Sequence, residues 1–440
     1  MEFEQFLALG SFPVLMLMLF AGFPITFTFM FIGLAIGYIA MGDLVFRLMN
    51  IHFYQVMVHQ VFAAIPFFLF MGFLLERAGL MDKLFSSFQK LMAPIPGSLY
   101  VTMIITATIF AAATGIVGSS ITLLCFMSAT AMARNNYNIP IGAGAIAGGG
   151  TLGILIPPSV MLVVMGPLIG VPVTNLFAAA IIPGLVLSGS YIAYALVRCY
   201  LNPELGPPLP MEMRAKSYTS LLKEMLTGVV PVMVLIGFTL GAILAGLATP
   251  TEAAACGALG AFILVVAYGK FSVPNFKRAL FNTAKLSAMI LVMIAACNFW
   301  GAVFARLGGA SYISDLLLRF DLPPMVMVFL ILCAVFLLGW AMEWVPIVLV
   351  VMPLTMPIVN NLGVDPLWYA IMFAVTLQTS WLTPPVALSC YFIKGCLPNW
   401  KLWDIYKGML QFVACQLVVL AILFLFPGII TWLPSVLLGR

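Results

Sequence analysis

Leu155-Ile156-Pro157-Pro158-Ser159-Val160 and Trp381-Leu382-Thr383-Pro384-Pro385-Val386 each set a proline pair inside an apolar run. Proline lacks a backbone N–H and its ring crowds the carbonyl one turn earlier, so each pair interrupts a helix. One such pair reads as a kink, tolerated in a bilayer because neighbours satisfy the freed carbonyls. Here there are two, and each follows a polar interruption of an earlier apolar run by roughly forty residues. The first interruption is Ala113-Thr114-Gly115-Ile116-Val117-Gly118-Ser119-Ser120, the second Gly339-Trp340-Ala341-Met342-Glu343-Trp344-Val345-Pro346. The chain therefore repeats one unit: a hairpin-like run, a polar tip, then a helix broken at Pro-Pro. Each run is too long for one crossing and has no charged loop at its middle, which predicts re-entrant hairpins centred near 115–120 and 339–346. Broken helices near the midplane, with unwound carbonyls for cations and half-helix N-termini for anions, belong to inverted-repeat secondary transporters.

Composition agrees. Of 440 residues 64% are hydrophobic and 8% charged, where a soluble domain runs near a quarter charged. Apolar stretches of roughly 20 residues match the hydrocarbon thickness of a bilayer. They cover about 6–41 (two helices divided around Gly22 and Pro24), 61–79, 98–133, 139–170, 175–200, 225–247, 252–269, 286–304, 323–361, 367–393 and 408–437. The expected fold is an all-α polytopic membrane protein, a single membrane domain over 1–440. Segments 43–60, 80–93, 271–285 and 308–321 mix charge with apolar residues and read as amphipathic helices at the interface. The proline-rich 202–220 segment reads as the linker between halves. Glu2 and Glu4 precede the first apolar run without a basic region or a small-residue cleavage site, so that run is expected to stay as a helix. Lys270, Lys277, Arg278 and Lys285, with Lys394, Lys401 and Lys407, give a positive-inside signature and not a nucleic-acid surface. The eight cysteines contain no C-x-x-C pair and read as small buried hydrophobes.

Gly148-Gly149-Gly150-Thr151-Leu152-Gly153 fits G-x-G-x-x-G, but it lies in an apolar run with no acidic residue about twenty positions on, so a dinucleotide site is rejected. Its glycines read as permitting unwinding and close helix approach. A hard cation wants oxygen ligands. Thr114, Ser119 and Ser120, with freed carbonyls of Gly150, Thr151, Gly153 and Pro157, make one candidate sodium site; Gly339, Thr379, Ser380, Thr383 and Pro384 make the second. The competing reading of the hydroxyls is helix packing or bonding to their own backbone. Glu343 is an intramembrane acid and so a functional candidate. Ser119, Ser159, Glu343 and Thr383 are the candidate solute contacts. Thr249-Pro250-Thr251-Glu252 reads as a capping box, which makes Glu252 structural. Arg134, His59 and Asn298 read as helix-end or packing residues. With no arginine between Arg134 and Arg198, or from Arg319 through the second broken helix, a solute carboxylate would be met by sodium and helix N-termini, unless Arg306 reaches the site.

At these residues the sequence resembles the large membrane subunit of tripartite ATP-independent periplasmic (TRAP) transporters, the DctM-like permeases. The matching stretches are Ile65-Pro66-Phe67-Phe68-Leu69-Phe70-Met71-Gly72 with Gly79, Gly150-Thr151-Leu152-Gly153 leading to Ile156-Pro157-Pro158-Ser159, Pro250-Thr251-Glu252-Ala253-Ala254-Ala255, and Thr383-Pro384-Pro385-Val386. The likeness runs from about residue 5 to 430. It departs at Ala387, where many relatives have glycine, and in the bulk of Trp340 and Trp344.

The resemblance implies a sodium-coupled, elevator-type importer of small organic acids in the bacterial inner membrane. Its partners would be a small membrane subunit and a periplasmic substrate-binding protein, with Na+ as coupling ion and no other cofactor. The alternative is a self-sufficient sodium-coupled dicarboxylate or ion exchanger of similar architecture. An enzyme is not expected: both histidines precede residue 60, and neither H-E-x-x-H nor G-x-S-x-G occurs. The absence of G-x-x-x-x-G-K fits an ion-driven carrier. The repeat further predicts a moving core over 98–170 and 323–393. Segments 1–97, 171–322 and 394–440 would be mainly scaffold and interfacial arm helices, with a smooth apolar surface between the two parts.

Overall fold

Gly22, at φ +91°, and Pro24, at the next N-cap, divide the first apolar stretch into helices Phe3–Phe20 and Ile25–Met41. Glycine adopts that backbone without a β-carbon penalty. The computed structural model describes residues 3–114, 117–214, 217–320, 322–384 and 387–439. Among them there are helices and no strand, and nine helices are long and apolar enough to cross a membrane. The remaining apolar helices are shorter because the breaks anticipated from sequence divide them.

The first tip falls between helices Ser98–Thr114 and Val117–Arg134. Gly115 and Ile116 of this tip lie outside the described residues, as do Pro385 and Val386 of the second proline motif. The second tip is described: helix Pro324–Ala341 ends, Met342 and Glu343 are extended, and helix Trp344–Asn361 begins. The first broken helix runs Ile139–Thr151, unwinds through a short 3-10 turn and Pro157-Pro158, and resumes as Val160–Ile169. The second runs Pro366–Leu382 and resumes as Leu388–Cys396. Asn138 and Asp365 cap the two first segments, each followed by proline in the first turn, which places the start of both helices chemically.

Two groups of helices can be distinguished, and they also touch: Leu80–Met92 packs on Ser98–Thr114, and Val273–Arg306 on Trp344–Asn361. The hairpins and broken helices form one. Helices Val173–Leu201 and Leu402–Leu425 join it, packing on the broken helices and on each other. Their buried faces lie against the broken helices. The other group contains Phe3–Phe20, Ile25–Met41, Ala64–Arg77, Val230–Leu244, Pro250–Ala267 and Val273–Arg306, with the amphipathic helices Leu44–Val58, Leu80–Met92, Tyr218–Gly228 and Gly309–Leu318. Here one expectation fails. The 271–285 segment is no separate interfacial helix but the first turns of the 34-residue Val273–Arg306. Its Lys277, Arg278 and Lys285 are exposed, and an amphipathic stretch looks the same whether it lies on a membrane or extends a spanning helix out of it.

The 202–220 linker is held down. Gly97 N–H donates to Gly206 O at 2.7 Å, Leu209 N–H to Ala93 O at 2.9 Å, and the Tyr100 and Tyr137 hydroxyls to Leu205 O and Pro207 O. The capping box at Thr249 is formed, with Glu252 accepting from Thr249 N–H at 2.8 Å.

Candidate functional site

A cavity of about 530 Å³ opens where the two helix groups meet. On one side it is walled by Leu69, Phe73 and Glu76 of Ala64–Arg77 and by Leu286, Met289, Ile290 and Met293 of Val273–Arg306. The other wall begins four helices. Val117, Gly118 and Ser119 are the first turn of Val117–Arg134; Val160 starts the resumed first broken helix; Trp344 and Val345 start the second hairpin's outgoing helix; Leu388 starts the resumed second broken helix. The repeat accounts for this convergence, since each copy contributes one tip and one break to the same cavity. Each start leaves backbone N–H groups without an intrahelical acceptor and carries the positive end of the helix dipole. Among the described lining residues none is Lys, Arg or His, and Arg306 is absent from the wall.

The predicted site residues divide between this cavity and the packing behind it. Ser119 and Glu343 line the cavity. Ser119 Oγ donates to Glu76 Oε2 at 2.9 Å, across the boundary between the helix groups. Glu343 precedes helix Trp344–Asn361 and is exposed. Ser159 and Thr383 do not line the cavity. Ser159 is fully buried and its Oγ donates to Ile154 O at 2.5 Å, closing the break; Thr383 donates to Thr379 O at 2.8 Å. Thr151, Thr379 and Ser380 are also buried and donate to their own helices, to Gly148 O, Val375 O and Leu377 O at 2.9, 2.8 and 2.7 Å. A hydroxyl that donates in this way keeps oxygen lone pairs for a cation. Ser120, Gly150, Gly153 and Pro157 are buried, and Pro384 is half-buried. The side chain of Thr114 lies outside the described part.

Within each repeat the tip touches the break. A β-carbon on Gly150 would collide with the Ile121 side chain, and one on Gly339 would collide with Ser380. Both glycines permit close helix approach, and neither is itself in an unwound segment. The two repeats meet where Gln378 Nε2 donates to Thr151 Oγ1 at 3.4 Å, both residues being fully buried.

Two residues here escaped the sequence reading. Glu76 sits at the end of an apolar run beside Arg77 and reads as an interface charge; only the fold carries it to Ser119. Gln378 had a signal, an uncharged amide in a membrane helix five residues before Thr383.

Residues 12–429 match the family model for the tripartite ATP-independent periplasmic transporter, DctM component. The chain belongs to this family. Over 431 residues it is 28% identical to the sialic acid TRAP transporter large permease protein SiaM of Vibrio cholerae, covering 96% of this chain and 97% of that one. It is also 28% identical to the C4-dicarboxylate TRAP transporter large permease protein DctM of Pseudomonas aeruginosa, covering 88% and 90%. The fold resembles the crystal structure of the Alcanivorax borkumensis YdaH transporter, with a TM-score of 0.65 at 16% identity over 88% of this chain and 89% of that one. This TRAP permease subunit is thus a multi-pass inner-membrane protein with the hairpin and broken-helix fold.

Proposed function

We propose that the chain is the large membrane subunit of a sodium-coupled importer that takes a small organic acid from a periplasmic binding protein, assisted by a small membrane subunit. The observation that carries this reading is the convergence of four helix N-termini on one cavity without a basic side chain. Backbone N–H groups and helix dipoles favour a carboxylate there, which removes the need for an arginine clamp. Behind the cavity, the hydroxyls of Thr151, Thr379, Ser380 and Thr383 and the carbonyls freed at the two breaks supply the oxygens a sodium ion requires. Sodium bound there would add positive charge behind the carboxylate, so solute and ion bind better together than apart.

The cavity lies between the helix groups, and this supports a sliding mechanism. Where Phe12, Leu15 and Phe29 of the scaffold face Met342, Ile347 and Val350 of the second hairpin, both surfaces are apolar and the gap is only about 10 Å³. Among the described residues the one ion pair, Lys90–Glu224, joins two arm helices and does not cross this surface. The moving unit we infer includes Val173–Leu201 and Leu402–Leu425 with the hairpins and broken helices. Uptake of candidate acids into proteoliposomes holding the co-encoded membrane subunits, with the binding protein outside, tests the function. Accumulation must require both an inward sodium gradient and the binding protein. Uptake without the binding protein would identify a self-sufficient exchanger instead.

A further inference from the structure

Four helix starts face the cavity, but two already have a carboxylate. Glu76 accepts from Ser119 in the first turn of Val117–Arg134. Glu343 stands immediately before Trp344–Asn361. The other two starts, at Val160 and Leu388, follow Ser159 and Ala387, and neither of those residues makes a side-chain cap. Glu343 makes no side-chain cap bond either, so what sets the two resumed broken helices apart is that no carboxylate stands beside their starts. Around them the wall offers two carboxylates, and its buried unpartnered side-chain donor is the Trp381 indole N–H. Glu76 and Glu343 present carboxylate oxygens, Ser119 spends its proton on Glu76, and Thr122 donates to Gly118 O at 2.8 Å.

We propose that this arrangement selects a monocarboxylate rich in hydroxyl or N–H donors over a dicarboxylate, with Glu76 as a specificity-determining residue. The solute's single carboxylate lies against the starts at Val160 and Leu388. Its donors meet Glu76 and Glu343, and its carbon skeleton packs on Phe73, Trp344 and Phe392. A second carboxylate on the solute would face the protein's own. Like charges placed together are an effective device against the wrong ligand. The volume of about 530 Å³ also suits a solute of sugar-acid size. This inference rests on the reading of the cavity as the solute site.

The test uses the purified complex of large and small membrane subunits in lipid nanodiscs with sodium present. Trp344 and Trp381, which line the cavity, serve as fluorescence reporters. Gluconate, a polyhydroxy monocarboxylate, and succinate, a dicarboxylate, are titrated separately. Gluconate should bind about tenfold more tightly than succinate, and Glu76→Gln should remove most of that preference by tightening succinate. Glu76→Asp, which keeps the charge, should retain it. Equal affinities in the unaltered protein, or a preference unchanged in Glu76→Gln, would overturn the selectivity while leaving the cavity as a carboxylate site. Failure of both probes to bind would overturn the cavity reading together with the selectivity.

Discussion

A β-carbon built on Gly339 would stand 2.7 Å from the β-carbon of Ser380, so the incoming helix of the second hairpin meets the second broken helix with no room for a side chain. Real β-carbons do not approach that closely, and the obstacle is not the flexible end of a long side chain. Gly339→Ala should therefore push the hairpin from the break and destabilise the protein by about 1–3 kcal/mol. A fall in the apparent Tm of the detergent-solubilised protein reads this out. Ser380→Gly, which removes the opposing β-carbon, should restore part of the loss in the double variant; strict additivity would show that the contact is not the cause.

Ala387 occupies left-handed backbone at φ +42°, the position at which the family resemblance implies glycine. A non-glycine residue there costs about 1–2 kcal/mol, against about 0.4–1 kcal/mol for the extra freedom of an unfolded glycine. Ala387→Gly should raise the apparent Tm, and Ala387→Val should lower it further than an ordinary buried alanine-to-valine change. A lower Tm for the glycine variant would contradict the strain.

For sodium coupling, Thr383→Ala and Ser119→Ala should raise the sodium concentration needed for half-maximal uptake several-fold, with membrane insertion intact. Each change removes one hydroxyl oxygen from a proposed set of hydroxyls and freed backbone carbonyls. Unchanged sodium dependence in both would assign these hydroxyls to packing, a role their bonds to Thr379 O and Glu76 also fit.

Sliding is tested across the apolar surface between scaffold and second hairpin. Leu15→Cys paired with Ile347→Cys, residues that share one small gap, should crosslink with a short bifunctional reagent in one transport state and halt uptake until the link is cleaved. Full uptake with the link in place would exclude relative movement of the two groups.

Much of this was legible in the sequence, for identifiable reasons. Proline pairs and polar tips act through backbone chemistry within a few residues, so the breaks at Pro157 and Pro384 and the tip at Glu343 were visible. The box of Thr249 and Glu252 is equally local. Packing between distant segments was not visible. Hydropathy cannot tell which neighbours an apolar helix packs on, so the seating of Val173–Leu201 and Leu402–Leu425 against the broken helices was not legible. The contact of Glu76 with Ser119, 43 residues apart, depends on how two helix groups cross. Ser159 shows the converse: its hydroxyl sits beside the first break, yet Ile154 O takes it away from the cavity.

The most direct test is a structure of the membrane complex determined with its transported acid and sodium present. The solute carboxylate should lie within hydrogen-bond reach of the backbone N–H groups that open Val160–Ile169 and Leu388–Cys396, with Glu76 and Glu343 turned toward solute donors. Solute found outside this cavity, or a carboxylate held by an arginine or lysine side chain, would contradict it.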